Sequence, residues 1–307
     1  MNHAVTSAHH TRRAWLAWFA ICLIWGTTYL AIKVALVTVP PLLLGGFRYL
    51  FAAIIMIVGL KTQGRRLPPS SAWPTQAVLG FFMLTLGNGG VVTGEGYLSS
   101  GLTAVLVATS PFWMVGIDAV FPGGGRLHPR QLIGMGIGFL GIVLLVWPDL
   151  SIGGVGGRNV LLGVIAVQVA CIGWSLASSY TKRHVMSGDV LGAATLQMLF
   201  GGAFMMLGGT VRGEWARLSF TMPSALALGY LTLLGSVVAF VAYSYALKHL
   251  PIAVVSLYTY VNPVIAVALG IILLNEPFDL RQLAAAGVIA AGMLIVRPGK
   301  APEGEVS

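Results

Sequence analysis

Charged residues are scarce in this chain: 18 Lys and Arg and 9 Asp and Glu make up 9% of its 307 residues. A soluble domain devotes about a quarter of its residues to these four types, so this chain has too few of them to cover a surface in water. Hydrophobic residues make up 57%, which indicates a surface that faces lipid. The net charge of +9 is not clustered on one face, so no nucleic-acid partner is predicted.

Cysteine is also scarce, with Cys22 and Cys171 as the only two. Both fall inside apolar runs, which excludes a secreted disulfide framework and favours small packing residues in helices. No His or second Cys stands near either one at the spacing of metal ligands. No Gly-Lys-Ser/Thr phosphate-binding motif occurs either. We therefore expect no metal, no cofactor and no ATP-driven step.

Long apolar runs are what the chain has instead. Ten of them are long enough, at about 1.5 Å per residue, to cross a hydrocarbon core of about 30 Å. Backbone groups in lipid must bond within their own segment, so the runs are predicted to be helices. The predicted spans are residues 14–37, 42–60, 76–97, 100–121, 131–147, 159–181, 189–208, 223–246, 252–273 and 281–297.

The basic residues between the spans predict the topology. Arg12 and Arg13 precede the first span, which is too long for a signal peptide and is expected to be retained with its N-terminus in the cytoplasm. Only Arg158, Arg212, Arg217 and Arg281 then fall in outside loops. The inside segments hold Arg12, Arg13, Lys61, Arg65, Arg66, Arg126, Arg130, Lys182, Arg183, Lys248, Arg297 and Lys300. This bias predicts a multi-pass inner-membrane protein with both termini cytoplasmic.

The chain repeats itself. Cys22, Trp25 and Lys33 recur 149 residues later as Cys171, Trp174 and Lys182. Five helices per half is an odd number, so the second half enters the bilayer from the opposite side. We predict an all-α polytopic membrane protein with ten transmembrane helices in two inverted-topology five-helix repeats. The repeats are residues 14–147 and 159–297, flanked by cytoplasmic tails at 1–13 and 298–307.

Several short motifs carry a family resemblance that covers both halves. They are Ile24-Trp25-Gly26-Thr27-Thr28-Tyr29, Gly87-Asn88-Gly89-Gly90, Ala108-Thr109-Ser110-Pro111, and Tyr258 to Pro263 leading to Asn275-Glu276-Pro277. In this order the chain resembles the EamA-type branch of the drug/metabolite transporter superfamily. The resemblance implies ten helices and the movement of small metabolites, often amino acids or related compounds, usually outward. One departure is Gly123-Gly124-Gly125 in the first half, at the place where the second half has the acidic turn Asn275-Glu276-Pro277.

Polar and aromatic side chains in the spans are candidates for substrate binding. Trp25, Thr28 and Tyr29 share one helix face, and Trp174 and Ser178 do so in the second half. Asn88, Tyr258 and Asn262 add donors and acceptors near the middle of the membrane. A pocket of this composition suits a small, partly apolar ligand. The commoner alternative for each residue alone is packing or hydrogen bonding between helices.

Ionisable residues inside a membrane are costly and therefore functional candidates. Lys33, Arg48 and Glu95 are predicted at one height on the outer side, where Glu95 is expected to pair with one base. One hypothesis is an outer gate that attracts a carboxylate, with Glu95 as a site for a coupling proton; the alternative is a structural ion pair with a snorkelling Lys. Lys182 is the inner counterpart of Lys33, or a topology anchor.

Two prolines in matched helices are candidate hinges. Pro111 and Pro263 stand 152 residues apart, and each frees a backbone carbonyl in its helix. Hinges of this kind would serve a carrier that rocks one half against the other.

We therefore predict a secondary active transporter that exports small metabolites, amino acids or related amphipathic compounds, by alternating access. Its expected partners are the substrate, a proton and the bilayer, and it is expected to act as a monomer. The alternatives are a membrane enzyme acting on a small amphipathic or lipid substrate, and a channel. The spans offer no acidic metal cluster or nucleophile motif for the enzyme, and no filter-like loop for the channel.

Overall fold

The computed structural model describes residues 2–121, 127–151, 154–183, 189–250, 252–255, 257–276 and 279–296. Throughout these ranges the regular structure is helical, without strands. Eight helices are long and apolar enough to cross a membrane, and two more apolar helices have 17 residues each. The ten segments are α1 Arg12–Ala35, α2 Pro41–Thr62, α3 Ser70–Glu95, α4 Ser100–Val120, α5 Pro129–Trp147, α6 Gly156–Thr181, α7 Val190–Val211, α8 Met222–His249, α9 Tyr258–Leu274 and α10 Leu280–Val296.

The ten predicted spans are confirmed as a ten-helix fold, with shifted ends. The helix that contains α1 begins at Asn2, within the predicted tail 1–13. The predicted ninth span, 252–273, is divided into a short helix, Ile252–Val255, and α9, which begins at Tyr258. Among the predicted features, Gly123 to Gly125, Pro277, the tail 298–307 and the side chain of Lys182 lie outside the described residues.

Short connections make neighbouring segments antiparallel, so the bundle has two ends. We call the end at which α2 begins face A, and the end at which α2 finishes face B. At face A, Thr38 after α1 donates to Ser224 at the start of α8 (2.8 Å). At face B, Arg65 after α2 forms an ion pair with Asp189, which precedes α7. Because α6 is the fifth helix after α1, an odd number, these two helices begin on opposite faces, as an inverted repeat requires.

Helices α2 and α7 cross closely at the boundary between the two halves. A Cβ at Gly202 of α7 would lie only 2.9 Å from the backbone nitrogen of Leu50 in α2. Small residues at such a crossing let two backbones approach, which replaces the hydrophobic driving force that lipid does not supply. This pair therefore forms a glycine-packed seam between the first and second repeats.

Two segments are widened at matching places in the repeat. Phe81–Asn88 in α3 and Leu233–Val238 in α8 are π-helical, and Leu233 lies 149 residues after Leu84. A π-turn leaves backbone carbonyls less well paired than an α-helix does, and such turns often occur at functional sites. Both widened turns lie in the middle of their spans, where a central site would be.

The outward faces of the peripheral helices are strongly apolar. Leu140 and Trp147 of α5 are 61% and 65% exposed, and Ile272 of α9 is 70% exposed. The polar side chains Arg48, Glu95 and Ser236 are buried instead. An apolar exterior around a polar interior is the arrangement expected of a bundle whose solvent is lipid.

Candidate substrate and gating site

An aromatic cluster joins α1 to α8 and α9. The ring of Trp25 lies 4.8 Å from that of Tyr258, 5.4 Å from that of Tyr243 and 5.8 Å from that of Phe240, between centroids. The contacts with Tyr258 and Phe240 are edge-to-face and that with Tyr243 is tilted, and such contacts favour fixed ring orientations. Trp25 is thus held between helices of the second repeat, in agreement with the predicted inward orientation of its helix face.

The π-turn of α8 receives two donors from the first repeat. Trp25 Nε1 donates to the Gly235 carbonyl oxygen at 3.1 Å. Arg48, which is only 4% exposed, donates from Nη2 to the same oxygen at 3.3 Å and from Nε to Ser236 Oγ at 2.9 Å. A charged guanidinium and an indole N–H therefore converge on one carbonyl at the boundary between the halves.

Gly235 allows the close approach of Thr28 and Arg48. A Cβ at this position would lie 3.1 Å from Thr28 Cγ2 and 3.3 Å from Arg48 Nη2. Thr28 itself is buried, and its hydroxyl donates to the Trp25 carbonyl oxygen of its own helix at 2.7 Å. Thr28 thus lines the approach to the π-turn, although its own hydroxyl is already bonded.

Tyr29 and Asn262 are also buried in the bundle. Tyr29 packs with Ala104 of α4 and Ala266 of α9. The Asn262 amide, oriented so that its nitrogen donates, is 3.0 Å from the Tyr258 carbonyl oxygen and 3.2 Å from that of Cys22. Asn262 therefore connects α9 to α1, which matches the packing alternative for that residue at least as well as ligand binding.

The π-turn of α3 presents a different picture. Asn88 ends this turn and is half-buried, and within the described chain its side chain makes no hydrogen bond. Trp174 of α6 packs against the same turn, because a Cβ at Gly87 would lie 3.4 Å from Trp174 Cε3. Ser178, one helical turn further along α6, is half-buried too. These side chains keep polar groups available at the centre of the bundle.

Lys33 does not pair with the Glu95 carboxylate. Its ammonium donates to the backbone oxygens of Glu95 and Leu98, at 2.7 and 2.6 Å. The Glu95 carbonyl is at the end of α3 and lacks a partner within the helix, and the Leu98 carbonyl is in the connection that follows, so the two together attract a cation. Since Arg48 is engaged at Gly235 and Ser236, the predicted pairing of Glu95 with a base is not seen.

Glu95 is left in an unusual environment. The residue is 0% exposed, and over the described residues neither carboxylate oxygen has a hydrogen-bond partner. A buried charge without partners costs several kcal/mol, so such a group is seldom kept for stability alone. The predicted set of Lys33, Arg48 and Glu95 is thus brought to one region, but Lys33 and Arg48 are bonded elsewhere and the Glu95 carboxylate has no hydrogen-bond partner among the described residues.

The two candidate hinge prolines lie at or near helix interruptions. Segment α4 is broken after Val107 and resumes at Ser110, so Pro111 begins its second part. Pro263 lies inside α9, five residues after the start of that segment. The interruptions are not equivalent in the two halves. In α4 the break lies directly before Ser110 and Pro111, whereas in the second half it lies before Tyr258 and Pro263 is inside the helix.

A cavity of about 390 Å³ lies toward face B, between the second part of α4, α5 and α6. Its walls are apolar and include Phe112, Trp113 and Phe139. None of the predicted site residues lines it, and a purely apolar hollow has no group to orient a polar ligand. Among the residues that the structure describes, no three metal-ligating side chains form a cluster.

Sequence reasoning missed the contribution of α8. Gly235 and Ser236 were not predicted as site residues, although they receive Arg48 and Trp25. No local pattern indicates a π-turn in an apolar run. The available signal was the repeat, because Ser236 aligns with Gly87, the first residue of the motif Gly87-Asn88-Gly89-Gly90.

Comparison with known proteins identifies the family. The EamA-like transporter family matches residues 12–147 and 161–297, which cover most of both predicted repeats. This chain belongs to the EamA-like transporter family. The family resemblance carried by the sequence motifs is thereby confirmed. The protein is a multi-pass membrane transporter, and the enzyme alternative is set aside.

Several relatives of this EamA-like transporter align along almost all of its length. The uncharacterized inner membrane transporter YedA of Escherichia coli (strain K12) is 33% identical over 285 residues, 92% of this chain and 90% of the relative. The uncharacterized transporter YvbV of Bacillus subtilis (strain 168) is 25% identical over 286 residues, 93% and 92% of the two chains.

A third relative has a more specific name. A protein of Escherichia coli (strain K12) called "probable amino-acid metabolite efflux pump" is 24% identical over 286 residues, 90% of this chain and 91% of its own. A solved crystal structure matches with a TM-score of 0.61 and 21% identity, over 92% of this chain and 95% of that chain. At this identity the match shows the ten-helix fold alone.

Proposed function

We propose that this EamA-like transporter is a secondary active carrier of the inner membrane that exports small metabolites by alternating access. The observation that carries the proposal is the convergence of Trp25 and Arg48, from the first repeat, on Gly235 of the second. Alternating access needs a site shared by two halves that move relative to one another. A relative named as an inner membrane transporter supports the location.

The substrate class we propose is amino acids or related amphipathic compounds. Arg48 and the indole N–H of Trp25 are suited to a carboxylate, which would replace the Gly235 carbonyl as their acceptor. The rings of Tyr243 and Tyr258 would cover the apolar part of the ligand. The relative named for amino-acid metabolite efflux supports the same class.

We propose that the remaining predicted binding residues complete this site. Thr28, Tyr29 and Asn262 border the cluster from α1 and α9, while Asn88, Trp174 and Ser178 belong to the α3 and α6 side. The Asn88 amide has its hydrogen-bonding capacity available to a ligand. We assign the site to all eight predicted residues, with Trp25 as the principal contact.

We propose that Glu95 carries the coupled proton. Its burial and its lack of hydrogen-bond partners support a group that changes its protonation during the cycle rather than one kept for structure. Lys33 and Arg48 would act as the gate on the same side, and Lys182 as its counterpart at the opposite end. Pro111 and Pro263 would supply the hinges of α4 and α9.

The proposed orientation places face B in the cytoplasm, together with both termini. The excess of Lys and Arg in the connections at that face supports it. A ten-helix chain that contains both halves needs no second copy, so the proposed working unit is the monomer. Tags at the two termini should both be accessible only after the membrane is permeabilised; labelling of either tag on intact cells would contradict the orientation.

Counterflow in proteoliposomes tests the function. A carrier exchanges external labelled amino acid for internal unlabelled amino acid, whereas a channel does not accumulate the label. The substrates come from a panel of amino acids and analogues that inhibit growth. We would choose those that inhibit growth less when the protein is overproduced. If neither protection nor counterflow is found with any member of the panel, the amino-acid class is wrong.

Trp25→Ala tests the proposed site. Loss of the indole removes a hydrogen bond and three ring contacts, so we expect the half-saturation concentration for counterflow to rise by about tenfold. Trp15→Ala is the matched control, because Trp15 is on the same helix but is 47% exposed on the lipid side. Equal effects of the two substitutions would remove Trp25 from the site.

A further inference from the structure

The α2–α7 seam is held by a carboxylate at each face. At face A, Glu214 Oε2 accepts hydrogen bonds from the backbone nitrogens of Leu42 and Leu43, at 3.0 and 3.1 Å. Glu214 follows α7, so the second repeat caps the first turn of α2. At face B, Asp189 accepts from the Leu191 nitrogen at 3.0 Å and pairs with Arg65 of the first repeat.

These two contacts are related by the repeat. Glu214 stands 149 residues after Arg65, so each residue follows the equivalent helix in its own half. Glu214 bonds directly to the first turn of α2. Arg65 reaches the start of α7 through Asp189, which caps that helix. The seam is therefore bonded at both ends, and it cannot open at one face without losing charge-assisted hydrogen bonds.

The α4–α9 pair is bonded by a carboxylate at face A. Glu276 Oε1 accepts from the Ser100 nitrogen at 2.8 Å, and Oε2 accepts from Ser100 Oγ at 2.8 Å and from the Gly101 nitrogen at 3.3 Å. These are the first donors of α4, which have no partner inside the helix. The second repeat thus caps α4 of the first.

The position of Glu276 is set by the end of α9. Asn275 has a φ of 51°, a left-handed conformation that ends helices, and the Glu276 nitrogen returns to the Gly270 carbonyl oxygen at 3.0 Å. Gly270 leaves room for the carboxylate, since a Cβ there would collide with it. Glu276 is therefore directed sideways at α4.

The repeat supplies no equivalent carboxylate at face B. The offset of 152 that relates Pro111 to Pro263 aligns Glu276 with Gly124, and residues 121–130 contain neither Asp nor Glu. The acidic cap between α4 and α9 is thus restricted by sequence to one face, whereas the α2–α7 seam has charged contacts at both.

From this asymmetry we infer that Glu276 is a positioning residue for transport, a one-sided latch that holds α4 against α9 while face A is closed. The α2–α7 seam stays bonded throughout the cycle, and α4 and α9 separate at face A when the Glu276 hydrogen bonds break. The inference rests on the proposed alternating-access carrier, but its test does not need the substrate.

A buried cysteine can report on opening at face A. Ala104 is 0% exposed, lies one helical turn beyond Ser100 in α4 and packs against Tyr29 and Ala266. We would introduce Ala104→Cys into a chain in which Cys22 and Cys171 are replaced by Ala. A membrane-impermeant thiol reagent, applied to intact cells and separately to inverted vesicles, then measures access from each side.

Glu276→Ala should raise the labelling rate by about tenfold from the side of face A, because three buried donors lose their acceptor and the closed state loses that stabilisation. Glu276→Gln keeps one acceptor oxygen and should give a smaller rise, which preserves the test if the Ala variant does not fold. Glu214→Ala is the matched control at the seam and should leave labelling unchanged. Thermal stability in detergent would be measured for each variant.

An unchanged labelling rate in folded Glu276→Ala and Glu276→Gln overturns the latch, whatever the transport assays show. An equal rise in the Glu214→Ala control also overturns it, since general loosening would then explain the result. A rise restricted to the Glu276 variants supports the latch even if no counterflow is found, in which case the proposed carrier function fails separately.

Discussion

The π-turns of α3 and α8 occupy equivalent places in the two repeats, yet they are used differently. In α8 the widened turn is filled by the other half, since Trp25 and Arg48 both donate to Gly235. In α3 the turn ends at Asn88, whose side chain makes no hydrogen bond within the described chain. The π-turn is present in both repeats, but only the turn of α8 is bonded to a charged side chain, that of Arg48. A ligand between the two turns would therefore meet a cationic wall on one side and an amide on the other.

Arg48 is the largest difference between the two walls, so its replacement should have the largest effect. Gln197 occupies the equivalent place in the second repeat, and Arg48→Gln therefore makes the first repeat resemble the second. Loss of a charged donor costs about 1.5–3 kcal/mol, so counterflow at low substrate should fall by between about tenfold and hundredfold. Initial rates in proteoliposomes, normalised to protein content, measure the loss.

Gln197→Ala provides the comparison for Arg48→Gln. The Gln197 Nε2 donates to Gln76 Oε1 at 2.9 Å, which is a neutral contact between α7 and α3. A neutral hydrogen bond contributes about 1 kcal/mol, so a loss of several-fold at most is expected. Similar losses at the two positions would mean that the charge of Arg48 is irrelevant to transport.

Glu95 is the second difference, because its equivalent in the other repeat is Ser244. Within the described residues, Glu95 is the buried carboxylate of which neither oxygen has a hydrogen-bond partner. Glu95→Gln should therefore abolish the stimulation of transport by an imposed pH gradient, and with it the accumulation of about tenfold per pH unit that one coupled proton can drive. Counterflow, which needs no net proton movement, should continue.

Measuring uptake with and without the pH gradient separates gradient-driven transport from counterflow. Ser244→Ala is the control, because Ser244 is half-buried and uncharged and its loss should leave both modes intact. A gradient effect that persists in Glu95→Gln would assign proton coupling to another group.

The sequence predicted the scaffold better than the contacts within it. Ten spans follow from apolar length, which lipid imposes on the chain, and their inverted duplication follows from the sequence repeat at an offset of 149 to 152 residues. The inward orientation of Trp25 followed from helical periodicity. The partners of Lys33 did not, since the backbone carbonyls at the end of a helix attract a cation as a carboxylate group does, in kind if not in strength, and sequence does not show which is closer.

The π-turns were also beyond prediction. An extra residue in a helical turn depends on how the backbone packs against its neighbours, and the apolar sequence Leu233–Val238 is compatible with an ordinary α-helix. The same limit applies to Glu276. Its turn was visible in the sequence as an asymmetry between the repeats, but its target at Ser100 lies 176 residues away.

A substitution at Gly235 is the mildest and most local test of the difference between the two π-turns. Gly235→Ala adds a methyl group 3.1 Å from Thr28 Cγ2 and 3.3 Å from Arg48 Nη2, so Arg48 must shift by a few tenths of an ångström. Since a displaced charged group weakens but does not remove its interaction, we expect the half-saturation concentration to rise by about threefold.

Gly229→Ala on the same helix is the matched control, because no heavy atom lies within 4 Å of the position its Cβ would take. Replacing a helical glycine at an open site removes freedom from the unfolded chain and should stabilise the protein by about 0.5–1 kcal/mol, with transport unchanged. Thermal unfolding in detergent and counterflow would be measured on both variants. If Gly235→Ala gains stability and retains full transport like Gly229→Ala, the close approach of Arg48 to the π-turn has no part in substrate binding, and the charged wall must be sought elsewhere in the bundle.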